Sequence, residues 1–430
     1  MTVDFGGGVG VVTDDSREAS PSCAFLATKL NAPYHDEARR RGATLIEPAR
    51  LITELGLEDI EIVGITGTNG KTTTAAAIYS LLLDLDYAAA LQGTRGFFVN
   101  DEKLEAKSLT TPPSLETIRN LWEAKQRGVE FFVMEVSSHA IDQNRIDGLR
   151  FSLKVHTNVT SDHLDYHKTV ENYRAVKSAF FADESRKLIN RDDENLTFNP
   201  KNAYGYALEN PATYKVMAYT LGGGVSGVIQ HFNEVATFET PLQGHFNLYN
   251  ITAAIAAVHL LTGEDLGDIC EAAENFGGVA GRMERVSDDP LVIVDFAHTE
   301  DGIRQVLDSL KEKEIRVVFG AGGDRDRSKR PRMGAAAAGL AKAIYLTSDN
   351  PRSEDPAAII EEIAAGIEEK EKVVKIVDRK EAIRRALADL QPGEALLVLG
   401  KGDETWQEIG DRKIPFDDRA VIKELLGLSN

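Results

Sequence analysis

Residues 61–84 read EIVGITGTNGKTTTAAAIYSLLLD, and this stretch decides the fold. The compact apolar run 61–66 predicts a strand, GTNG (67–70) a tight glycine loop, and 71–85 a helix carrying Ile78, Leu81, Leu82 and Leu85 on one face. Strand, glycine loop and helix in that order form a phosphate cradle. Small residues let backbone N–H groups close on phosphate oxygens, and the helix N-terminus adds partial positive charge. Gly67, Thr68, Asn69, Gly70, Lys71, Thr72 and Thr73 are therefore the expected ATP-binding residues, with Lys71 on the β- and γ-phosphates and the Thr72 hydroxyl on a metal ion. The spelling departs from GxxxxGK[ST], because Ile65 stands six positions before Lys71 and the nearest glycine is Gly64. The strand before the loop and the Lys-Thr after it sustain the reading.

On the C-terminal side, strand patterns at 131–136 and 153–158 accompany helical runs at 114–127 and 170–181, which predicts βαβ units and a parallel sheet. Around 214–238, β-branched and aromatic residues broken by Gly222, Gly223 and Gly224 predict a hairpin-rich patch, with a helix resuming near Leu248. After Gly281, strand patterns at 291–296, 315–320, 343–348, 373–378 and 395–400, mostly separated by helical stretches, predict a second doubly wound sheet. Before residue 61 there is a strand-like piece at 23–27, a helix-like run at 36–41 and another strand-like piece at 43–46. The expected fold is α/β in three domains: a small N-terminal α/β domain (1–60), a central P-loop parallel-sheet ATPase domain (61–282) and a C-terminal Rossmann-like doubly wound domain (283–430).

Bulk properties agree with that division. A chain of 430 residues exceeds what one core usually supports, so several domains are expected. No stretch reaches the roughly 18 apolar residues of a membrane span, and the first residues lack a basic then apolar export pattern, so a cytoplasmic location is expected. Cys23 and Cys270 stand far apart without metal or redox spacing, which suggests buried thiols. A net charge of −19 repels a phosphate backbone, so nucleic acid is not an expected partner and any small anion needs a dedicated pocket.

Three further stretches carry chemistry. MEVSSH places Glu135 at the carboxyl end of a predicted strand, where ligands bind in open α/β sheets, so it is a metal carboxylate or a strand-end acid facing water. TNVTSDHLDYH gathers Asp162, His163, Asp165 and His167, which divalent ions accept as ligands. A zinc reading of the His163/His167 pair lacks both the glutamate of HExxH and a nearby thiolate. Asp349, Asn350, Pro351 and Arg352 (DNPR) follow a predicted strand; Arg352 offers a guanidinium to a carboxylate, and a plain proline turn is the rival reading.

Taken in order, GTNGKTTT, LTTPPS, MEVSSHAIDQNR, TNVTSDHLDYH, YRAVKSAFF, GHFNLYN, GRME, DFAHT, GGDRDRSKRP, TSDNPRSEDP and LGKGDE resemble the signature series of the MurE family of Mur ligases, in its diaminopimelate-adding version. The quoted stretches run from residue 67 to residue 404. The resemblance implies an ATP-dependent ligase that adds meso-2,6-diaminopimelate to UDP-N-acetylmuramoyl-L-alanyl-D-glutamate through an acyl phosphate, in cell-wall precursor synthesis. It implies that Ser16, Thr110, Thr111, Ser137, Gln143 and Arg145 hold the UDP-linked dipeptide. Asn247, Asn250, Arg282, Asp295 and His298 would contact ATP. Arg325, Asn350, Arg352, Gly400 and Glu404, with the rest of DNPR, would surround diaminopimelate. Lys177 matches a lysine that the family carries as a CO2-derived carbamate, sharing Mg2+ with Thr72, Glu135 and His163; Lys71, Lys177, His163 and Glu135 would be the catalytic set. Two departures stand out: Asp403 in GKGDE, where many relatives have histidine, and an N-terminal region shorter than the usual uridine-binding domain. A monomer with small-molecule partners is expected. The rivals are an L-lysine-adding ligase, a folylpolyglutamate synthase and a P-loop ATPase switch that ligates nothing.

Overall fold

In the computed structural model, which describes residues 2–4, 9–105 and 109–428, the chain builds three successive large sheets and a two-stranded hairpin. The first is four-stranded: β1 (Thr2–Asp4), β2 (Val9–Thr13), β3 (Cys23–Leu26) and β4 (Thr44–Ile46) lie side by side, with β1 antiparallel to β2 and the others parallel. Helix α1 (His35–Arg40) packs Ala38 against Phe25, and α2 (Pro48–Glu54) starts on a proline whose missing N–H costs nothing at a helix start.

The second sheet grows from β5 (Glu61–Thr66), which is buried at every residue after the first. Its order is β15-β14-β13-β12-β11-β10-β5-β9-β6-β7-β8 among the described residues. Helix α3 (Lys71–Asp84) follows the glycine loop directly, and Ile78, Leu81 and Leu82 are fully buried as the periodicity predicts. Then come β6 (Ala89–Gly93), β7 (Gly96–Val99), β8 (Glu102–Glu105), α4 (Ser114–Gln126), β9 (Phe131–Glu135), α5 (Ser138–Asp142) and β10 (Phe151–His156). They are followed by α6 (Leu164–His167), α7 (Val170–Ala179), β11 (Lys187–Asn190), β12 (Ala203–Ala207), β13 (Tyr214–Thr220), β14 (Val225–His231) and β15 (Glu234–Thr240). The middle strands are parallel, while β13-β14-β15 form the expected antiparallel patch. Helix α8 (His245–Thr262) is apolar nearly all round because it is sandwiched between this sheet and α3, and α9 (Leu266–Ala272) closes the layer.

The third sheet has order β16-β17-β21-β18-β19-β20. Its strands are β16 (Glu284–Asp288), β17 (Leu291–Asp295), β18 (Ile315–Phe319), β19 (Ala343–Leu346), β20 (Val373–Lys375) and β21 (Ala395–Leu399), with only the edge strand β16 antiparallel. Helices α10 (Glu300–Asp308), α11 (Lys329–Ala338), α12 (Pro356–Ala365) and α13 (Arg379–Asp389) cross between them. A hairpin of β22 (Trp406–Ile409) and β23 (Arg412–Pro415) precedes α14 (Asp418–Leu426). None of the described helices is long and apolar enough to cross a membrane.

The structure corrects one sequence expectation and adds strands on which the sequence pattern is silent. The pattern at 373–378 gives a strand of only three residues, because this edge strand is half exposed and has one neighbour. The short strands β6–β8, β11 and β12 carry no clean alternation, since β6 and β11 are buried on both faces.

Candidate active site

Thr66 ends β5 at the sheet centre, and the chain then turns so tightly that substitution has no room. A Cβ on Gly67 would lie 1.8 Å from Thr157 Oγ1, and one on Gly70 (φ +83°) 2.3 Å from Asn250 Oδ1. The loop is pinned from outside as well: Asn69 N donates to Asn158 Oδ1 at 3.0 Å, and Thr157 Oγ1 donates to Asn69 O at 2.6 Å. Lys71 folds back over this loop and donates to the carbonyls of Gly67 and Thr68, both at 2.8 Å. Burial lowers the pKa of Lys71, and the carboxylates of Glu135 and Asp162 counter that shift.

Glu135, at the end of β9, is 2% exposed and accepts from Thr72 Oγ1 at 2.9 Å and Thr94 N at 2.9 Å. The two residues expected to share a metal ion therefore already touch. Lys177, on α7, is 1% exposed, with Nζ 2.8 Å from Gly67 O and 3.2 Å from Thr66 Oγ1. Among the described residues no carboxylate forms an ion pair with it, and burial, reinforced by the charge on Lys71, drops its pKa well below that of an ordinary lysine. His163 sits at φ +52°, a conformation that costs a bulky residue about 1 kcal/mol or more. Burial pushes its pKa down to about 4 against the pull of Asp162, leaving a neutral imidazole with a lone pair to donate.

The third sheet brings its strand ends to the same place. Asp295, ending β17, is buried and accepts from the backbone N–H groups of Met283 (2.8 Å) and Ala297 (2.7 Å); burial raises its pKa, while Arg282 opposes the shift. Arg282 lies over the Phe296 ring at 4.4 Å. After β19, Asn350 donates to Glu404 Oε2 at 2.9 Å, and the buried Lys401 reaches both residues at 3.1 and 2.9 Å. Arg352 (φ +51°) donates to Glu408 at 3.0 Å and Gly323 O at 2.8 Å. Gly400 is at φ +109°, and a Cβ there would meet Asp349 Oδ2 at 2.5 Å.

One cavity of about 710 Å3 joins these groups, lined by residues 67–73, Glu135, His163, Lys177, Asn250, Arg282, Asp295, His298, Arg325, Asp349, Asn350, Arg352, Gly400 and Glu404. A second, of about 660 Å3, opens between the first and second sheets and is lined by Ser16, Arg17, Asn31, Tyr34, Ser114 and Gln143 among others. Arg145 lines both. It donates to Gln143 Oε1 at 2.6 and 2.9 Å and to Thr111 O at 2.9 Å, while Ser137 N donates to Thr111 Oγ1 at 2.9 Å.

The profile of the Mur ligase middle domain matches residues 65–258, and that of the Mur ligase glutamate ligase domain matches 281–402. A protein of Wolinella succinogenes named UDP-N-acetylmuramoyl-L-alanyl-D-glutamate–2,6-diaminopimelate ligase is 56% identical over 97% of this chain and 96% of its own length. The chain belongs to the Mur ligase family. A Helicobacter hepaticus protein of the same name is 55% identical over 93% of this chain and 88% of its own. A solved structure with that name superposes with a TM-score of 0.68 at 30% identity, covering 99% of both chains.

Within this Mur ligase most expected residues converge, and a few stand apart. Asn247 does not line the cavity; its Oδ1 accepts from Asn250 at 2.9 Å and so orients the asparagine that does. Pro351 packs its carbonyl against Gly323, away from the cavity. Ser16 and Gln143 face only the second cavity. His167 turns to Ser138 Oγ at 2.9 Å, so the two histidines of the 163/167 pair do not share a site. Among the lining residues that escape the sequence reading are Thr94, Tyr173, Phe246 and Lys329. Tyr173, one turn before Lys177, has its hydroxyl 3.0 Å from Thr68 Oγ1, and that i, i+4 spacing could have revealed it. Lys329 reaches across to Asp162 at 3.1 Å, a contact between sheets that no local pattern signals.

Proposed function

We propose that this Mur ligase joins meso-2,6-diaminopimelate to the D-glutamate γ-carboxylate of UDP-N-acetylmuramoyl-L-alanyl-D-glutamate, converting ATP to ADP and phosphate. The observation that carries the reading is the shared cavity: a triphosphate cradle at one side, the Asn350–Arg352–Glu404 group at the other, and Arg145 leading to a second cleft. The diaminopimelate ligases that resemble the chain at 55–56% identity supply the substrate names.

In this reading the glutamate γ-carboxylate oxygen attacks the γ-phosphorus of ATP and ADP leaves. The diaminopimelate amine then attacks the acyl carbon, the amide forms, and inorganic phosphate carries away the shared oxygen. Lys71 neutralises charge on the phosphates and the loop N–H groups hold them in line. Arg145, fixed by Thr111 and Gln143, orients the acceptor peptide. Arg352 and Glu404 offer a cation and an anion to a far end that carries both a carboxylate and an ammonium, as in diaminopimelate, whereas the side chain of L-lysine ends in an ammonium alone.

The residues around Glu135 fit magnesium: a carboxylate, the Thr72 hydroxyl 2.9 Å from it and a neutral His163 imidazole supply hard or borderline donors. Burial lowers the pKa of Lys177 and so favours the uncharged amine, the form that adds CO2, and the resulting carbamate would complete the set. When bound, magnesium would screen the phosphate charge. We place the enzyme in the cytoplasm as a monomer, acting on soluble small molecules.

The test is an ATP-coupled assay with UDP-N-acetylmuramoyl-L-alanyl-D-glutamate, comparing meso-diaminopimelate with L-lysine. Phosphate release that requires both the peptide and diaminopimelate supports the proposal. Release indifferent to both would mean a non-ligating ATPase, and a preference for lysine would reassign the substrate.

A further inference from the structure

Far from the catalytic cavity, His231, Glu234 and His259 turn one ligand atom each toward a common point. Among the described residues they are the one group of three whose donor atoms all lie within 4.8 Å of one another. His231 ends β14 and Glu234 begins β15, directly opposite each other in the antiparallel ladder. The two-residue turn between them holds Phe232 at φ +50°, a left-handed conformation that a bulky aromatic seldom adopts and that here points both donors to one side. His259 comes from α8, nine residues beyond Asn250 and so about 13–14 Å further along the helix. None of the three lines the catalytic cavity.

The distances suit an ion. His231 Nδ1 is 3.0 Å and His259 Nε2 3.4 Å from the same oxygen, Glu234 Oε2. Ligands about 2.0–2.1 Å from a tetrahedral zinc ion stand about 3.3 Å apart, so little movement would admit one. The outer ring is also in place. Tyr214 Oη lies 2.7 Å from His259 Nδ1, where it can accept that N–H and fix the tautomer that leaves Nε2 free to bind. The buried Tyr214 ring stacks on His231 with centroids 4.5 Å apart and planes 13° apart, holding the second imidazole.

We propose that His231, Glu234 and His259 form a site for one zinc-class divalent cation that clips the β14–β15 hairpin to the C-terminal half of α8. Two imidazoles and one carboxylate leave a fourth position for water. Because Glu234 is 51% exposed, an ion can enter from solvent. The site is separate from Glu135, Thr72 and His163, the residues that would hold magnesium, all of which line the catalytic cavity.

The full-length protein, stripped with chelator and held in excess Mg2+, is titrated with Zn2+ by calorimetry and with Co2+ by visible absorption. The expected result is one Zn2+ per chain at this site and a tetrahedral Co2+ spectrum. His231→Ala and His259→Ala should each weaken that binding at least about 100-fold, Tyr214→Phe by about 10-fold, and His163→Ala should leave it intact. Glu234→Gln, nearly isosteric, guards against misfolding, as does retained ligase activity in the hairpin variants. Zn2+ stoichiometry and affinity unchanged in correctly folded His231, Glu234 and His259 variants, or no binding by the parent protein, would overturn the assignment.

Discussion

Asn69 in the phosphate loop donates a 2.7 Å hydrogen bond to Asp301 in the first turn of α10, and Thr160 reaches the same carboxylate oxygen at 3.0 Å. The bond ties the nucleotide loop to the third sheet, so the cleft is held shut by residues of the loop itself. Asp301→Ala should loosen this closure. A charge-assisted bond contributes about 1.5–3 kcal/mol, part of which water replaces, so a rise of about 10-fold in the KM for ATP is expected. Steady-state kinetics and small-angle scattering check it; an unchanged KM with unchanged radius of gyration would remove the latch.

Lys177→Ala should lower kcat by at least about 100-fold, a loss far larger than the modest drop in melting temperature expected from removing its bonds to Gly67 O and Thr66 Oγ1. For the parent enzyme, CO2-depleted buffer should slow turnover reversibly. Turnover of the alanine variant near the parent rate would dismiss a role for this lysine.

At the amino-acid end, Arg352→Ala and Glu404→Gln should each raise the KM for diaminopimelate about 10–100-fold and leave the KM for ATP nearly unchanged, as expected for charge-assisted contacts to one substrate. Equal effects on both substrates would indicate a structural role, since Arg352 and Glu404 also hold Glu408 and Asn350.

The third sheet carries an acid-sensitive point remote from the site. Glu394 is buried; burial works to raise its pKa, but Arg316 and Lys342, each 2.6 Å away, together hold it at about 2. A pKa depressed in the folded state adds stability above the unfolded value near 4.5 and loses it as pH falls toward 2. Glu394→Gln should therefore lower the urea midpoint at pH 7 and flatten its decline below about pH 4.5. A parallel decline in both proteins would contradict this.

The core of the fold was readable because its signals are local. The run 61–84 encodes strand, loop and helix within one window, and the strand ends after 135, 295, 319 and 399 mark where ligands gather in parallel sheets. Contacts between sheets were not. Lys329 to Asp162 and Asn69 to Asp301 join residues more than 160 positions apart, and periodicity holds no information on such pairs. Nor was Lys177 visible from its helix, where it reads as an ordinary surface lysine; only the family resemblance singled it out, and its burial beneath Gly67 O explains why it differs.

Arg145 borders two chambers with a single guanidinium, and that has a thermodynamic corollary. Whatever occupies the cleft beside the first sheet alters the hydrogen-bonding capacity left for the other cavity, and linkage makes the influence mutual. Inhibitors built for one chamber should thus change affinity when the other fills, and a bridging compound would meet its anchor midway.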